Sequence, residues 1–327
     1  MNNATTHLAD FTEGVNKDHI PKYYGEALCN LASSDKSVVA LCADVAPPTE
    51  SDLFKNVFPD RFYMTGIAEA NTIGLASGMA RMGDIPFVHS FCVFITRRAY
   101  DQIAMQIAYP KTNVKLIGFL PGITTALGVS HQAIDDIALM RALPNMCVIE
   151  PSGPEQVSSA VKAIYEYKGP IYMRLNRASS RVDKDAFKPL TIGKVNILMQ
   201  GKDIAIFASG LMVKKSIETA IKLKTQGINA AIINVSTLKP LNDPTILDIS
   251  KECGCAISVE NHSVIGGLGD AINSFLLEND INIPLKKIGL QDTFAEGATT
   301  EYLLNKYRMN VDDIYENSFK LVQLKKK

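Results

Sequence analysis

The chain has 327 residues, of which 46% are hydrophobic and 21% charged, so it can bury a large core and is not a disordered protein. Its 34 basic and 34 acidic residues give zero net charge, which argues against a nucleic-acid-binding or membrane-surface role. The sequence shows neither a membrane-spanning apolar run nor a signal-peptide pattern, and its cysteines lie mostly in apolar stretches, so we expect a cytoplasmic protein with reduced thiols.

Apolar runs of strand length alternate with helical patterns through the first half of the chain. The strand candidates are almost continuously apolar, which is typical of parallel strands covered on both faces. Strands are predicted at 37–45, 85–91, 113–119, 146–151 and 170–175, and helices at 69–81, 97–108, 134–142 and 155–167. Each connection is long enough for a right-handed crossover.

A polar, turn-rich segment around residues 178–202 separates this pattern from a second one. The second half is predicted to form strands at 203–209, 229–235, 255–261 and 285–290, and helices at about 213–227, 243–252, 267–278, 299–308 and 311–323. The sequence therefore predicts an α/β protein with two tandem three-layer domains and mainly parallel sheets. We place the domains at 18–180 and 203–323, joined by a linker at 181–202.

The segment TGIAEANTIGLASGMARMG contains a single acid, Glu69, at the start of a predicted helix. No Lys or Arg lies between Arg61 and Arg81 to neutralise it, and its helix face is otherwise apolar. Burial raises the pKa of a carboxylate, whereas a helix N-terminus lowers it. If burial dominates, Glu69 can hold or share a proton near neutral pH; the alternative is a solvent-exposed or capping acid.

Three further segments carry side chains toward the carboxyl ends of the strands, where open α/β sheets bind ligands. Phe91 and Phe94 leave one strand, and His131 lies in a glycine-rich loop. Arg174 and Arg177, at the end of another strand, could bind a phosphate or carboxylate. The simpler alternatives are core packing for the phenylalanines, polar surface for the histidine and surface ion pairs for the arginines.

Taken in order, these segments resemble the C-terminal part of the transketolase family. The motifs are FPDRFYMTGIAEANTIGLASGMA, SFCVFITRRAYDQI, SHQAIDDIALMRALPNMCVIEPS and VENHSVIGGLGDAI, and the second is also similar to deoxyxylulose-phosphate synthase. The resemblance implies a pyrimidine-binding domain at 18–180, a C-terminal domain that promotes dimerisation, and thiamine diphosphate as the cofactor. No counterpart of the family's diphosphate-binding domain is found in the sequence.

The resemblance therefore implies the C-terminal subunit of a split transketolase. A separate N-terminal subunit would supply the diphosphate site and the Mg²⁺ ligands, so no metal ligand is expected on this chain. An α2β2 heterotetramer with self-association of this chain is the implied assembly, and sugar phosphates are the implied substrates.

The resemblance also assigns cofactor contacts. Glu69 matches the glutamate that hydrogen-bonds N1′ of the aminopyrimidine and promotes its imino tautomer, so that the cofactor's carbon nucleophile can form. Phe94 and Phe91 are expected to pack on the pyrimidine ring. Asp44 and Ile67 are expected to lie near the cofactor.

Substrate contacts are implied for four other residues. His131 matches a substrate-contacting histidine with a catalytic role, and Gln132 follows it in the same motif. Arg177 matches the arginine that binds the substrate phosphate, and Arg174 is a neighbouring candidate.

One loop departs from the family pattern. Transketolases usually carry a histidine and a Gly-Glu-Asp-Gly segment before the His-Gln pair, and these contact hydroxyl groups of the donor sugar. Here Leu120 stands near the histidine position, and Ala126, Leu127 and Gly128 lie in a shortened 120–130 loop. Because polar groups left unpaired on burial weaken binding, we expect an altered donor, such as a branched or otherwise modified ketose phosphate.

Two alternatives share the same fold prediction. The first is the β subunit of a 2-oxo acid dehydrogenase, which would not need Arg177 to bind phosphate. The second is a catalytically silent transketolase-like partner, against which the retention of Glu69, Phe91 and Phe94 argues.

Overall fold

The computed structural model describes residues 22–176 and 188–325. These residues form two β-sheets with helices packed on their faces, the α/β architecture that the sequence predicts. The strands are β1 (Val38–Cys42), β2 (Phe62–Met64), β3 (Ile85–Phe91), β4 (Lys115–Phe119), β5 (Cys147–Ile149), β6 (Ile171–Leu175), β7 (Asn196–Met199), β8 (Ile204–Ala208), β9 (Ala230–Asn234), β10 (Thr237–Lys239), β11 (Ala256–Ser263) and β12 (Leu285–Leu290).

The helices lie between the strands, mostly as crossover connections. They are α1 (Tyr23–Ser34), α2 (Ser51–Val57), α3 (Glu69–Arg81), α4 (Cys92–Arg97), α5 (Tyr100–Gln102), a π-helix (Ile103–Ala108), α6 (Asp136–Ala142), α7 (Pro154–Glu166), α8 (Met212–Lys224), α9 (Thr245–Cys253), α10 (Leu268–Glu278), α11 (Thr300–Lys306) and α12 (Val311–Lys325). No helix in the described ranges has the length and apolar character needed to cross a membrane.

The first sheet has the strand order β10-β5-β6-β4-β3-β1-β2. All neighbours from β5 to β2 pair in parallel, and β1, β4 and β6 are buried along their whole length. Helices cover both faces, which is why these strands are buried at every position rather than at alternate ones. The predicted parallel α/β architecture is confirmed.

The second sheet has the order β12-β11-β8-β9-β7. Its strands pair in parallel except at one edge, where β7 pairs antiparallel with β9. Strand β7 lies within the range 181–202 that was predicted as a linker. Part of that range, Asn196–Met199, is therefore an edge strand of the second sheet.

The two sheets are not separate units. Strand β10 belongs to the second half of the chain, yet it pairs antiparallel with β5 at the edge of the first sheet. Lys239 extends this contact, because its Nζ donates hydrogen bonds to the carbonyl oxygens of Arg141 and Leu143. The following Pro240 has no N–H to continue the ladder, which keeps the strand short.

The predicted helix at 97–108 is wrong in its start and its geometry. The helical segment begins at Cys92, is interrupted after Arg97, and ends as a π-helix. Two carbonyl groups of the π-helix accept hydrogen bonds from side chains outside it: Ser77 Oγ donates to Gln106 at 2.8 Å and Asn145 Nδ2 to Ala108 at 3.1 Å. Partners distant in sequence thus add to the local hydrogen bonds of the π-helix, such as that from the Tyr109 N–H to the Ala104 carbonyl.

The 120–130 loop docks on the second half of the chain. The side chain of Asn261 in β11 makes two hydrogen bonds to this loop. Its Oδ1 accepts from the Ile123 N–H at 3.0 Å, and its Nδ2 donates to the Pro121 carbonyl at 3.0 Å. Gly122 lies between these bonds with φ +58°, and a Cβ there would overlap the Asn261 side chain and backbone. A glycine is required at this contact.

Replacing Gly122 with alanine should therefore weaken the junction of the two halves. We expect a loss of about 3 kcal/mol or more in the free energy of unfolding, because the positive φ and the overlap both oppose the new methyl group. Gly227→Ala is the matched control: φ is +71° but no atom lies within 4 Å of the added Cβ, so a loss of about 1 kcal/mol is expected. Urea unfolding measures both, and equal losses would contradict the close contact.

Candidate active site

The candidate site lies at the carboxyl edge of the first sheet. Asp44 follows β1, Glu69 begins α3 just after β2, and Phe91 ends β3. Because parallel strands present their carboxyl ends at the same edge, these chain segments converge there. Gly66 has φ +73°, a conformation that suits glycine in the turn leading to Glu69.

Glu69 is the first residue of α3, and only 4% of it is exposed. Its carboxylate lies at the positive end of the helix dipole, which favours an acid there. Of the alternatives that the sequence left open for Glu69, the structure supports burial and excludes solvent exposure.

Glu69 is not isolated from cations, contrary to the sequence-based expectation. Nη1 of Arg98 lies 3.2 Å from Oε1 and 3.4 Å from Oε2 of Glu69. The two residues are 29 positions apart, so the local sequence around Glu69 could not show the pair. A signal was nevertheless present: Arg98 follows Phe94 by four residues in a helical segment, which places both on one face.

Three aromatic side chains, Phe91, Phe94 and His131, cluster beside this ion pair. The Arg98 guanidinium carbon lies 3.9 Å from the Phe94 ring centroid, in the range of a cation–π contact. The His131 ring lies edge-on to Phe94 at 5.1 Å and is 6.2 Å from Phe91, which itself is 5.9 Å from Phe94. The structure thus brings together Glu69, Phe91, Phe94 and His131, all of which the sequence singled out, and adds Arg98.

His131 is held as a neutral base near physiological pH. Partial burial and, secondly, the charge of Arg98 lower the pKa of His131 below its usual range. Its Nδ1 pairs with Ser130 Oγ at 2.9 Å, which leaves Nε2 to bond with another group.

The remaining predicted contacts lie at the margins of the site. Asp44 is exposed and has φ +59°, and Ile67 is 73% exposed. Gln132 is buried, with Nε2 donating to the Glu296 carbonyl at 3.0 Å and Oε1 without a hydrogen-bond partner among the described residues. Gln132 therefore ties the His131 loop to the second half of the chain.

Arg174 does not face the site, and its predicted role in substrate binding is corrected. The side chain is fully buried. Its Nε donates to Asp136 at 2.9 Å, its Nη1 to Glu150 at 3.1 Å, and its Nη2 to the Asn261 carbonyl at 3.3 Å. These partners use its donors internally, so none can reach a substrate phosphate. The other predicted phosphate ligand, Arg177, lies outside the described residues.

Charge compensation explains how this arginine stays buried. Burial acts to lower the pKa of Arg174, but the carboxylates of Asp136 and Glu150 outweigh it and raise the pKa above its ordinary value. Glu150 also accepts from Ser209 Oγ at 2.6 Å, across the junction of the two halves. Arg174 is a structural residue of that junction.

Leu120 and the Ala126-Leu127-Gly128 segment of the loop carry no polar side chains. Leu120 is buried with φ +59°, and its side chain offers no hydrogen bond to a sugar hydroxyl. Gly128 packs against Gly297, where an added Cβ would lie 3.2 Å from the Gly297 nitrogen. The predicted loss of polar side chains from this loop is thus consistent with its packing.

The chemistry of the site fits an aminopyrimidine ring. A buried carboxylate can share a proton with a ring nitrogen, and the neighbouring aromatic side chains can pack on a flat heterocycle. Glu69, Phe91 and Phe94 supply these groups within one contact cluster. A metal site, by contrast, is not found within residues 22–176 and 188–325, where no three His, Cys, Asp or Glu side chains are grouped so that they could hold an ion.

Comparison with known proteins decides the family. Residues 19–182 match the model of the transketolase pyrimidine-binding domain, and residues 193–314 match that of the transketolase C-terminal domain. The chain belongs to the transketolase family. The order of the two matches agrees with the two sheets described above.

Similar proteins include transketolase subunits named for unusual sugars. A 6-deoxy-6-sulfo-D-fructose transketolase subunit from Clostridium sp. (strain MSTE9) is 38% identical over 304 residues, covering 92% of this chain and 94% of that protein. A subunit of an apulose-4-phosphate transketolase from Phocaeicola vulgatus is 30% identical over 305 residues, covering 92% of this chain and 97% of that protein. A solved structure described as a split gene transketolase, inactive beta4 tetramer, superposes with a TM-score of 0.84 at 37% identity, covering 93% of this chain and 98% of that one.

The buried role of Arg174 makes a testable prediction. Arg174→Leu should lower the free energy of unfolding by about 3–5 kcal/mol, because it leaves two carboxylates buried without their cation. Arg97→Leu is the control: Arg97 Nε bonds both oxygens of the half-exposed Asp135 at 3.0 Å, and its loss should cost about 1 kcal/mol or less. Urea unfolding measures both; a normally stable Arg174→Leu protein would contradict the structural role.

Proposed function

We propose that this chain is the pyrimidine-binding subunit of a thiamine-diphosphate-dependent transketolase that transfers a two-carbon ketol unit between sugar phosphates. Activity would require a separate subunit that carries the diphosphate-binding domain and the Mg²⁺ ligands, in a cytoplasmic α2β2 assembly. The observation that carries the proposal is Glu69, a buried carboxylate at a helix start beside an aromatic cluster.

Each side chain has a task in this mechanism. Thiamine diphosphate, when bound, would supply the carbon nucleophile for ketol transfer. The carboxyl group of Glu69 would hydrogen-bond the pyrimidine ring nitrogen and share a proton with it. Phe94 and Phe91 orient the ring by packing, and His131, which is neutral near pH 7, binds a substrate hydroxyl through Nε2.

The donor ketose is proposed to be a non-standard one. The apolar side chain of Leu120 and the Ala126-Leu127-Gly128 segment offer no side-chain hydrogen bond to donor hydroxyls. The names of two similar proteins support this direction, since each is a transketolase subunit named for a modified or branched sugar, 6-deoxy-6-sulfo-D-fructose or apulose 4-phosphate. A site with fewer polar contacts discriminates against the ordinary donor by leaving its hydroxyls unpaired.

Removing the carboxylate of Glu69 tests the mechanism directly. Glu69→Gln in the reconstituted pair of subunits should lower kcat by about 100-fold or more, the usual contribution of a positioned acid–base group. Glu26→Gln is the control, because Glu26 is an exposed acid in the first turn of α1 and its loss should leave kcat unchanged. Ketol transfer is measured with a coupled assay, and equal kcat for Glu69→Gln and wild type would remove Glu69 from the mechanism.

A panel of donors tests the altered specificity. The wild-type pair should use xylulose 5-phosphate with a kcat/KM at least about tenfold below that for a branched or modified ketose phosphate, because the missing polar contacts correspond to roughly 1–3 kcal/mol. Turnover of xylulose 5-phosphate at ordinary transketolase efficiency would contradict the altered donor. Oxidation of 2-oxo acids with a dye acceptor would instead favour the dehydrogenase alternative.

A further inference from the structure

Arg98 occupies an unusual position in the candidate site. Its guanidinium stacks 3.9 Å from the Phe94 ring centroid while Nη1 bonds both oxygens of Glu69. Among the described residues, no other side chain is hydrogen-bonded to the Glu69 carboxylate. One flat group therefore takes both the aromatic face and the acid.

These are the two contacts that an aminopyrimidine ring would need. A guanidinium and an aminopyrimidine are both flat and delocalised, and each can hydrogen-bond a carboxyl group through a nitrogen atom. We infer that Arg98 acts as a placeholder in the free chain, making the contacts of Glu69 and Phe94 until the cofactor displaces it. This inference rests on the proposed function.

A placeholder has a physical purpose at this site. Glu69 is buried, and a buried carboxylate without a partner destabilises the fold. Arg98 compensates that charge before the cofactor binds. The side chain of Arg98 is itself 48% exposed, so its guanidinium can turn into solvent without breaking packed structure.

Displacing Arg98 should cost the binding of the cofactor only a small amount of free energy. A half-exposed ion pair and a single cation–π contact are each weak. Removing the placeholder should therefore tighten binding of thiamine diphosphate by about three- to tenfold, rather than by orders of magnitude. Arg98 is thus a positioning residue that acts through Glu69 and Phe94.

Isothermal titration of the reconstituted pair with thiamine diphosphate and Mg²⁺ tests this. Arg98→Ala should lower the Kd about three- to tenfold, and Arg98→Gln, which keeps part of the side-chain length, should lower it in the same direction. Arg97→Ala is the matched control, because Arg97 bonds Asp135 instead of Glu69, and its Kd should equal that of the wild type. An unchanged or raised Kd in both Arg98 variants would overturn the placeholder.

The outcomes separate this inference from the proposed function. If the wild-type pair does not bind thiamine diphosphate, the proposed function fails and this inference fails with it. If the wild-type pair binds the cofactor and the Arg98 variants bind no more tightly, only the placeholder fails.

A second readout uses the chain without cofactor. Arg98→Ala should lower the melting temperature by roughly 1–3 °C, because Glu69 loses its cation. The same change made in a Glu69→Gln background should lower the melting temperature less, since a neutral amide needs no compensating charge and only the contact with Phe94 is lost. Equal effects in the two backgrounds would show that Arg98 does not serve the Glu69 carboxylate and would overturn the inference.

Discussion

A buried arginine holds the molecule together at its centre. Arg174 is enclosed by Asp136 and Glu150 in the first half of the chain and by the Asn261 carbonyl in the second half. Removing one partner of such a cluster leaves an uncompensated charge in a dry interior, which costs far more than an exposed ion pair. The relative position of the two halves is therefore determined by polar groups with directional bonds, rather than by apolar contact alone.

That constraint extends to the candidate site. Asp136 begins α6, a few residues after His131 and Gln132, so the buried cluster holds the end of the loop that carries them. Gln132 adds a bond from the same loop to the second half. The side chain that would meet the substrate thus rests on a rigid support, as precise catalytic geometry requires.

The sequence predicted the elements whose signals are local. The helix Glu69–Arg81 and the strands Ile85–Phe91 and Leu285–Leu290 agree with prediction at both ends. The transketolase family was also recognisable, because several motifs occur in one order. The strands Asn196–Met199 and Thr237–Lys239 were missed, since they are short and are defined by partners elsewhere in the sheets.

The sequence predicted which side chains meet at the site, but not which cation is paired with Glu69. Glu69, Phe94 and His131 meet as expected, because parallel strands bring their carboxyl ends to one edge. The ion pairs of two arginines, Arg98 and Arg174, could not be predicted from the sequence for the same reason: their acid partners lie 24 to 38 positions away. Only the folded chain shows that Arg98 is paired with Glu69 and that Arg174 is buried.

The strand that crosses between the sheets also limits how the protein can be divided. Truncation after β6 would remove Thr237–Lys239 and uncover the hydrogen-bonding edge of Cys147–Ile149. An uncovered strand edge is a template for pairing with another chain. A fragment that kept only the pyrimidine-binding half would therefore be prone to aggregation. Chimaeras between relatives would best preserve the pairing of β10 with β5 if both halves were exchanged together.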